Sequence, residues 1–463
     1  MQTRLEKDLL GELEVPFDAY YGVQTCRAID NFNISTARLS EYRAFIWGLG
    51  VVKMGAAKAN LELGLIDEKI ANAIIQASQE VMDGKFDSEF PIDMIQGGAG
   101  TSTNMNANEV IANRALEIMG YDKGDYDHCS PNDHVNRSQS TNDAYPTAGQ
   151  LATIKMHFEL IEHLKPLIKS FQSKAAEFKD IIKMGRTQLQ DAVPMTIGQE
   201  FNAFANNLEK EISFLTYTAE SFYSVNMGAT AIGTGLNAAP GYSEACVKYL
   251  AEITDYPITL AEDLVQATPD TSAFVNYSSA LKSVSIKLSK TCNDLRLLSS
   301  GPRTGIAEIN LPPMQPGSSI MPGKVNPVIP EVVNQVCFKV IGNDTTISMA
   351  SEAGQLQLNV MEPIIIYSVM ESIKFLQESF DVLRIKCVDG ITANAEHSEE
   401  MVRNSIGIVT ALNPYIGYKN STEIAKKAMA TGESVYDLVL KENILSKEEL
   451  DEILSPKNMV GTK

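Results

Sequence analysis

The chain has 463 residues, 44% of them hydrophobic, and its 39 basic and 58 acidic residues give a formal net charge of −19 at pH 7. That length suggests about three domains, or one large elongated domain, with enough apolar side chains to fold fully. The acidic balance argues against nucleic acid or an anionic membrane surface as a partner, because both repel a negatively charged chain.

The cysteines and the first residues of the chain indicate the cellular compartment. The six cysteines are far apart and form no CxxC pair, which indicates reduced, mostly buried thiols rather than a zinc ribbon or a disulfide scaffold. The first eight residues contain no apolar signal region, and no stretch approaches the roughly eighteen apolar residues of a membrane span. We therefore expect a cytoplasmic protein with no membrane partner.

Residues 1–143 predict an N-terminal domain of short helices and loops. Helical periodicity is clear over Asp67–Met82 and Asn106–Met119, and strand-like alternation is scarce. Between them, Gly97–Asn104 places hydroxyls, among them Thr101, on a glycine-rich backbone just before a helix. Backbone N–H groups and the helix dipole favour an anion at such a position.

The loop Pro131–Asp143 is almost wholly polar and includes Ser140, Thr141 and Asn142. Helix capping accounts for Asp143 and for Ser140, but not for so dense a run of amide, hydroxyl and cationic donors. We therefore treat this loop as a candidate binding segment.

Five long helices are predicted after this loop. In one of them the apolar residues Phe201, Leu208, Leu215 and Phe222 are seven apart, a spacing typical of helical bundles. A two-stranded coiled coil is the less favoured alternative, because the seams contain aromatic and small residues. The five segments are residues 146–178, 194–225, 270–300, 327–353 and 362–383.

Residues from Ala393 onward predict a small C-terminal helical domain, in which Ser446 and Glu449 form a capping box ahead of Leu450–Leu454. The expected fold is therefore all-α, with a long central multi-helix bundle over residues 144–392 flanked by two smaller, mostly helical domains, residues 1–143 and 393–463.

The segment Gly317–Pro327 combines hydroxyls, a lysine and an amide with two glycines, Gly317 and Gly323, and two prolines, Pro322 and Pro327. Glycine allows close approach of backbone N–H groups to an anion, and proline prevents the segment from becoming helix. We interpret it as a mobile active-site lid that binds a carboxylate. It is not a nucleotide phosphate loop, because Val325 stands where that motif requires Ser or Thr.

The connection Gly185–Asp191 presents Thr187 and Gln188, although a solvated turn is the better explanation of this loop taken in isolation. If residues 146–178 form a continuous helix, the loops at its two ends lie about 50 Å apart at 1.5 Å per residue. Either the chain folds back at Pro166, or the pocket is assembled from different copies of the chain. We favour assembly.

Conventional catalytic motifs are otherwise missing from the sequence. The five histidines show no metal-ligand spacing, and neither a GxSxG elbow nor a dinucleotide-binding GxGxxG motif is present. A hydride-transfer or acyl-serine mechanism is therefore disfavoured.

The loop 317–327, together with the loops at residues 101, 140 and 187, resembles the fumarase/aspartase superfamily of β-eliminating lyases over nearly the whole chain. The resemblance implies an all-α homotetramer in which subunits share the active sites. It also implies small-molecule chemistry, the release of fumarate from a succinyl substrate.

Within this superfamily, the loops at 140–146, 185–194 and 326–331 look like the aspartase branch, which converts L-aspartate to fumarate and ammonia. The neutral amide of Gln188 suits an amine better than a water molecule, whereas fumarases usually have histidine there. Gln24 looks fumarase-like. Class II fumarase, and a structural protein on the same fold, remain the alternatives.

The resemblance also implies residue roles. Ser318 is the general base that removes the C3 proton, although it could instead only hydrogen-bond the substrate. Thr101, Ser140 and Thr141 are donors to the β-carboxylate. The α-carboxylate is bound by Thr187, Lys324 and Asn326. The amino group is contacted by Asn142 and Gln188. No cofactor is required, and Mg²⁺ activation is implied only by the resemblance.

Overall fold

The computed structural model describes residues 2–460, and most of them are helical. The helices are α1 Val23–Asn31, α2 Arg43–Glu62, α3 Glu68–Met82, α4 Thr101–Met119, α5 Thr141–Glu177, α6 Ile197–Ala219, α7 Tyr242–Thr254, α8 Leu264–Ala267, α9 Ser272–Leu298, α10 Val328–Glu352, α11 Glu362–Lys386, α12 Ala395–Asn404, α13 Val409–Thr431, α14 Val435–Lys441, α15 Lys447–Ile453 and α16 Pro456–Met459. The expected all-α class is confirmed.

Strands occur only as short pairs within the described residues. β1 and β2, β3 and β4, and β7 and β8 pair antiparallel, whereas β5 and β6 pair parallel. Their bounds are β1 Thr3–Asp8, β2 Gly11–Pro16, β3 Ile182–Thr187, β4 Gln190–Thr196, β5 Ser224–Val225, β6 Thr259–Leu260, β7 Ile309–Asn310 and β8 Thr392–Ala393. The β3–β4 hairpin occupies a segment that the sequence predicts as a loop and a helix start.

The five long helices of the prediction are present as α5, α6, α9, α10 and α11, with different ends. α5 begins at Thr141, ahead of the predicted start at Pro146. Proline has no N–H to donate to the carbonyl four residues earlier. Nδ2 of Asn226 donates to the Asn142 carbonyl oxygen instead, at 3.1 Å, so the helix tolerates the proline.

Two other helix ends also differ from the prediction. α4 begins at Thr101 rather than Asn106, directly after the glycine-rich loop. α6 begins at Ile197 rather than Pro194, because the residues up to Thr196 pair with β3. It ends at Ala219, and a 3₁₀ turn, Glu220–Tyr223, then places Phe222 in the core.

Helix α5 contains Pro166 without interruption and spans 37 residues. At 1.5 Å per residue its length is about 55 Å. The chain therefore does not fold back at Pro166, which was one of the two alternatives derived from the sequence.

The chain divides into two compact units. Unit 1 comprises residues 1–160, 213–283 and 339–375, and unit 2 comprises residues 161–212, 284–338 and those from 376 onward. In unit 1, Phe222 packs against Phe274 and Tyr277. In unit 2, Phe201 packs against Phe171 and Phe178. The division into domains 1–143, 144–392 and 393–463 stays a prediction.

The C-terminal part of unit 2 has its own apolar core, and strand β3 contributes to it. Ile182 and Met184 are buried there beside residues of α12 to α15, such as Leu412 and Leu438. The capping box of α15 is confirmed: the Ser446 hydroxyl accepts from the Glu449 N–H, and the Glu449 carboxylate accepts from the Ser446 N–H. Within residues 2–460, none of the helices is both long and apolar enough to span a membrane.

His157 of α5 is a buried titratable group within unit 1. Its side chain is 2% exposed, and Nδ1 lies 3.1 Å from the Tyr277 hydroxyl. Burial lowers the pKa of His157 from 6.5 to about 4, because the protonated ring loses its hydration.

We expect this histidine to make stability pH-dependent. Since its folded pKa lies below its unfolded value, stability is complete above pH 6.5 and is lost as the pH falls toward 4. Between pH 7.5 and 5 the wild type should lose about 2 kcal/mol more than His157→Leu. Urea unfolding at fixed protein concentration measures this difference, and an equal loss in both proteins would refute the assignment.

Candidate active site

The nine residues singled out from the sequence fall into two groups. Four lie in unit 1, namely Thr101, Ser140, Thr141 and Asn142, and five lie in unit 2, namely Thr187, Gln188, Ser318, Lys324 and Asn326. The structure brings the unit 1 residues to the starts of α4 and α5. The unit 2 residues lie on the β3–β4 hairpin and in the loop before α10.

The glycine-rich loop before α4 turns through three left-handed residues. Gly98, Ala99 and Gly100 have φ of +90°, +55° and +88°. A Cβ on Gly100 would lie 2.5 Å from the ring of Tyr145, so only glycine fits there. The hydroxyl of Thr101 donates to the Gly98 carbonyl oxygen at 2.8 Å. This hydroxyl must rotate away from that bond before it can donate to a ligand.

Ser140 and Thr141 present hydroxyls whose oxygens already accept a hydrogen bond. The Ser140 oxygen accepts from the Asn142 N–H at 3.2 Å, and the Thr141 oxygen accepts from Nδ2 of Asn104 at 3.2 Å. In the described part of the chain, neither hydroxyl proton has an acceptor. Both are therefore available as donors to a carboxylate at the start of α5.

Asp143 holds this helix start in place. Its buried carboxylate accepts from the Ser140 N–H at 2.9 Å and from the N–H groups of Gly228 and Thr230 at 3.0 and 2.9 Å. Burial raises its pKa to about 6 despite these donors. The anchored segment 228–231 positions the Ala231 carbonyl, which accepts from Nδ2 of Asn142 at 2.8 Å. Oδ1 of Asn142 is thereby left as an acceptor.

A buried lysine orients the amides behind Thr141. Lys53 of α2 is fully buried, and its Nζ donates to three amide oxygens: Oδ1 of Asn104 at 2.6 Å, Oδ1 of Asn136 at 3.2 Å and Oε1 of Gln139 at 2.8 Å. Burial lowers the pKa of Lys53 to about 7. Because an ammonium group can only donate, it turns the amide nitrogen of Asn104 toward Thr141.

In unit 2, Thr187 and Gln188 lie at the tip of the β3–β4 hairpin. Thr187 pairs with Gln190, so Gln188 and Leu189 form a two-residue turn, and both have positive φ, +53° and +62°. Such turns favour asparagine and glycine. Non-glycine residues in this region cost about 1 kcal/mol each or more. Backbone strain is therefore concentrated at a predicted substrate contact.

Glu308 anchors the strand that leads to this turn. It is fully buried, and its carboxylate lies 2.7 Å from Nη1 of Arg186 and 2.9 Å from Nζ of Lys183. Lys183 also pairs with Glu200 at 2.6 Å. On the opposite strand, Asp191 accepts from the Ser405 hydroxyl at 2.7 Å. Buried ion pairs thus fix the hairpin next to Thr187.

The loop 317–326 is closed on itself by backbone and side-chain bonds. The Gly317 N–H donates to the Lys324 carbonyl oxygen at 2.7 Å, and Nδ2 of Asn326 donates to the Gly317 carbonyl oxygen at 2.8 Å. A Cβ on Gly317 would lie 2.7 Å from the Lys324 carbonyl, so the closure requires glycine. The loop lines a 440 Å³ cavity whose walls include Ser318 and Lys324.

The hydroxyl oxygen of Ser318 accepts two backbone hydrogen bonds, from Ile320 at 3.2 Å and from Met321 at 3.0 Å. N–H donors of this kind stabilise negative charge on the oxygen. The geometry therefore fits a serine whose alkoxide form is stabilised by these two donors, so that its oxygen can accept a proton and become a neutral hydroxyl.

Sequence reasoning missed Lys53 and Glu308, which position the predicted residues without being near them in sequence. Lys53 does leave a signal: it is the only charged residue in the apolar and small-residue run from Ala44 to Ala57. Glu308 leaves none. Gln24, whose identity departs from the aspartase pattern, donates its backbone N–H to the buried carboxylate of Glu109 at 2.8 Å and lines a 650 Å³ cavity in unit 1.

Comparisons with known proteins agree with the motif analysis. A family model described as Lyase matches residues 11–342, and one described as Fumarase C C-terminus matches residues 408–461. The chain is 57% identical over 462 residues to the aspartate ammonia-lyase of Pseudomonas aeruginosa, covering 100% of this chain and 98% of that protein.

Two solved structures resemble the chain over almost all of its length. Fumarate lyase:delta crystallin from Brucella melitensis bound to cobalt has a TM-score of 0.97 at 49% identity, with 100% of both chains covered. Recombinant class II fumarase from Schistosoma mansoni has a TM-score of 0.93 at 36% identity, with 99% of both chains covered.

The ion pairs of Glu308 lead to a stability prediction. Glu308→Gln should destabilise the protein by about 3 kcal/mol, because Lys183 and Arg186 lose a buried counter-charge. Hydrogen exchange should accelerate over residues 182–196. Glu399→Gln is the matched control, since it removes an exposed pair with Arg403 at 2.7 Å and should cost under about 1 kcal/mol. Equal effects in the two variants would exclude the anchoring role.

Proposed function

We propose that this chain, which belongs to the fumarase/aspartase superfamily of lyases, catalyses the reversible deamination of L-aspartate to fumarate and ammonia. The observation that carries the proposal is the 57% identity to an aspartate ammonia-lyase over the full chain, against 36% to a class II fumarase. The chain is thus a carbon–nitrogen lyase. Gln188, a neutral amide, supports the same branch.

The chemistry begins with removal of the C3 proton, which is acidified only by the adjacent β-carboxylate. The electron pair moves onto that carboxylate as an enediolate, and the C2–N bond then breaks with its electrons remaining on nitrogen. Forming this enediolate is the step that costs the most free energy. Each preorganised donor at such a group contributes about 3 kcal/mol. The free hydroxyl protons of Ser140 and Thr141 supply two donors, and Thr101 supplies a third after rotation.

The α-carboxylate and the amino group of the substrate are recognised by different kinds of side chain. The α-carboxylate takes the hydroxyl of Thr187, the ammonium of Lys324 and the amide of Asn326. The substrate ammonium needs acceptors, and Oδ1 of Asn142 is one because its Nδ2 donates to Ala231. The side-chain oxygen of Gln188 is the other. An ammonium leaving group requires no general acid, so we assign none.

Ser318 is the proposed general base. A serine hydroxyl is weakly basic in water, but its oxyanion is stabilised by N–H donors and a nearby cation. The N–H groups of Ile320 and Met321 already point at its oxygen. Lys324 of the same loop supplies the cation.

The active sites are proposed to be shared among subunits of a homotetramer. Ser140, Thr141 and Asn142 lie at or beside the start of α5, which continues for 37 residues through Pro166. A helix about 55 Å long separates its two ends far beyond the size of aspartate. Loops of different copies around a shared bundle would complete each pocket.

No organic or redox cofactor is proposed, and magnesium is at most an activator. Among the residues that the structure describes, no group of three or more His, Cys, Asp or Glu side chains could hold a metal ion. We therefore name no magnesium ligands and derive no step through the ion. A cytoplasmic location is also proposed, supported by six cysteines that are all free.

The assignment is tested by adding the purified protein separately to L-aspartate and to L-malate, with fumarate followed by absorbance and ammonia assayed in parallel. Fumarate and ammonia should form from aspartate alone. Fumarate from malate alone would assign the chain to the fumarase branch. Absence of product from both substrates would favour the structural-protein alternative.

Ser318→Ala should bind aspartate nearly as well as the wild type but lose most turnover, because the oxygen that accepts the C3 proton is removed. Isothermal titration and steady-state kinetics separate the two quantities. Equal weakening of binding and turnover would reduce Ser318 to a binding residue.

The same variant tests the sharing of sites. Ser318→Ala and Thr141→Ala are each expected to be inactive, and co-assembled hybrids should regain activity at about a quarter of their sites if each pocket draws these residues from different copies. Hybrids of Ser318→Ala with itself form the control. If both residues of a pocket came from one copy, no hybrid would recover activity.

A further inference from the structure

A cavity of 840 Å³ in unit 1 plays no part in the mechanism described above. Its wall is acidic and rich in hydrogen-bond acceptors, and none of its described lining residues is Lys, Arg or His. The polar residues that matter here are Gln150, Asn226, Glu262, Asp263, Asp270 and Glu362.

Within the part of the chain that the structure describes, two residues that line this cavity each have a buried acceptor oxygen without a donor. Glu362, the first residue of α11, is 1% exposed, and its Oε2 is buried without a hydrogen-bond partner. The side chain of Gln150 donates through Nε2 to the Ser224 carbonyl oxygen at 3.2 Å. Its Oε1 consequently points the other way, and that atom is also buried and unpartnered.

Both oxygens together indicate a ligand. An unpaired buried polar group destabilises a folded protein, and proteins rarely leave two of them at one cavity without a partner. Burial also raises the pKa of Glu362 well above its usual range, because nothing in the described structure compensates its charge. A compact cation that has only donors would satisfy both oxygens and the acidic wall at once.

The same cavity adjoins the predicted amino-group contact. Pro146 and Gln150 line the cavity and follow Asn142 at intervals of four residues, so the three lie along one face of α5. Asn226, also at the wall, donates to the Asn142 carbonyl oxygen at 3.1 Å. The cavity therefore begins about one helical turn from Asn142.

We propose that this cavity is an ammonium site, in which the carboxylate of Glu362 and Oε1 of Gln150 accept two N–H bonds from the ion. The inference rests on the proposed deamination, whose second product would occupy the site on its way to solvent and would enter by it in the reverse direction. Ammonium matches the acceptor-rich wall of this cavity because the ion has four N–H donors and no acceptor.

The test is the reverse reaction, with ammonium and fumarate varied separately. Glu362→Gln should raise the KM for ammonium about tenfold, the loss expected for a hydrogen bond to a charged group, and leave the KM for fumarate unchanged. Gln150→Leu should act in the same direction. Glu252→Gln, an exposed change on α7 that removes the same charge away from the cavity, is the control.

A crystal structure of the assembled enzyme with thallium(I), a heavy analogue of ammonium, gives a readout independent of activity. An anomalous peak within contact distance of Glu362 and Gln150 would support the site. A water molecule alone there, or a lysine or arginine of a neighbouring subunit, would overturn it.

The two proposals fail in different ways. If the wild type releases fumarate from aspartate but Glu362→Gln keeps its KM for ammonium, the ammonium site is wrong and the deamination stands. If the wild type does not act on aspartate, the deamination is wrong, and an empty cavity in the thallium crystals would then overturn the cation site as well. Melting temperatures of both variants near that of the wild type show that folding is preserved.

Discussion

The direction of hydrogen bonding in unit 1 depends on one buried ammonium group. Nζ of Lys53 has three amide oxygens as acceptors, and in its protonated form it can only donate. The oxygens of Asn104, Asn136 and Gln139 therefore face it and their nitrogens face away. That orientation makes Asn104 a donor to Thr141, whose own proton is left for a ligand. The positive charge of Lys53 on α2 thus influences Thr141 through two hydrogen bonds, by way of Asn104.

In unit 2 a buried negative charge, rather than a positive one, positions the residues of the candidate site. There a buried carboxylate, Glu308, pairs with Lys183 and Arg186 on β3 and holds a turn whose two central residues have positive φ. Without such an anchor, the strained turn at Gln188 would relax, because non-glycine residues leave this region readily. In both units, buried charged residues hold the hydroxyl and amide residues that we propose as substrate contacts.

The sequence predicts helices well here because their periodicity is local, whereas the errors come from distant residues. The early start of α5 depends on Asn226, which is 84 residues from Asn142. The β3–β4 turn lacks the Asn-Gly pair by which hairpins are recognised. The hydroxyl and amide residues of the candidate site are recognisable in the sequence because they lie in densely polar loops. Glu308 and Glu362 do not, because a glutamate looks the same in a sequence whether it is buried or exposed.

The loop that contains Ser318 is a hydrogen-bonded ring, since Asn326 and Lys324 both bond back to Gly317. If this loop acts as the proposed lid, these bonds would make it move as one body. The Ser318 oxygen would then keep its two N–H donors as the loop moved. Closure would change the access of bulk water, so hydration rather than rearrangement would control the basicity of the proposed base.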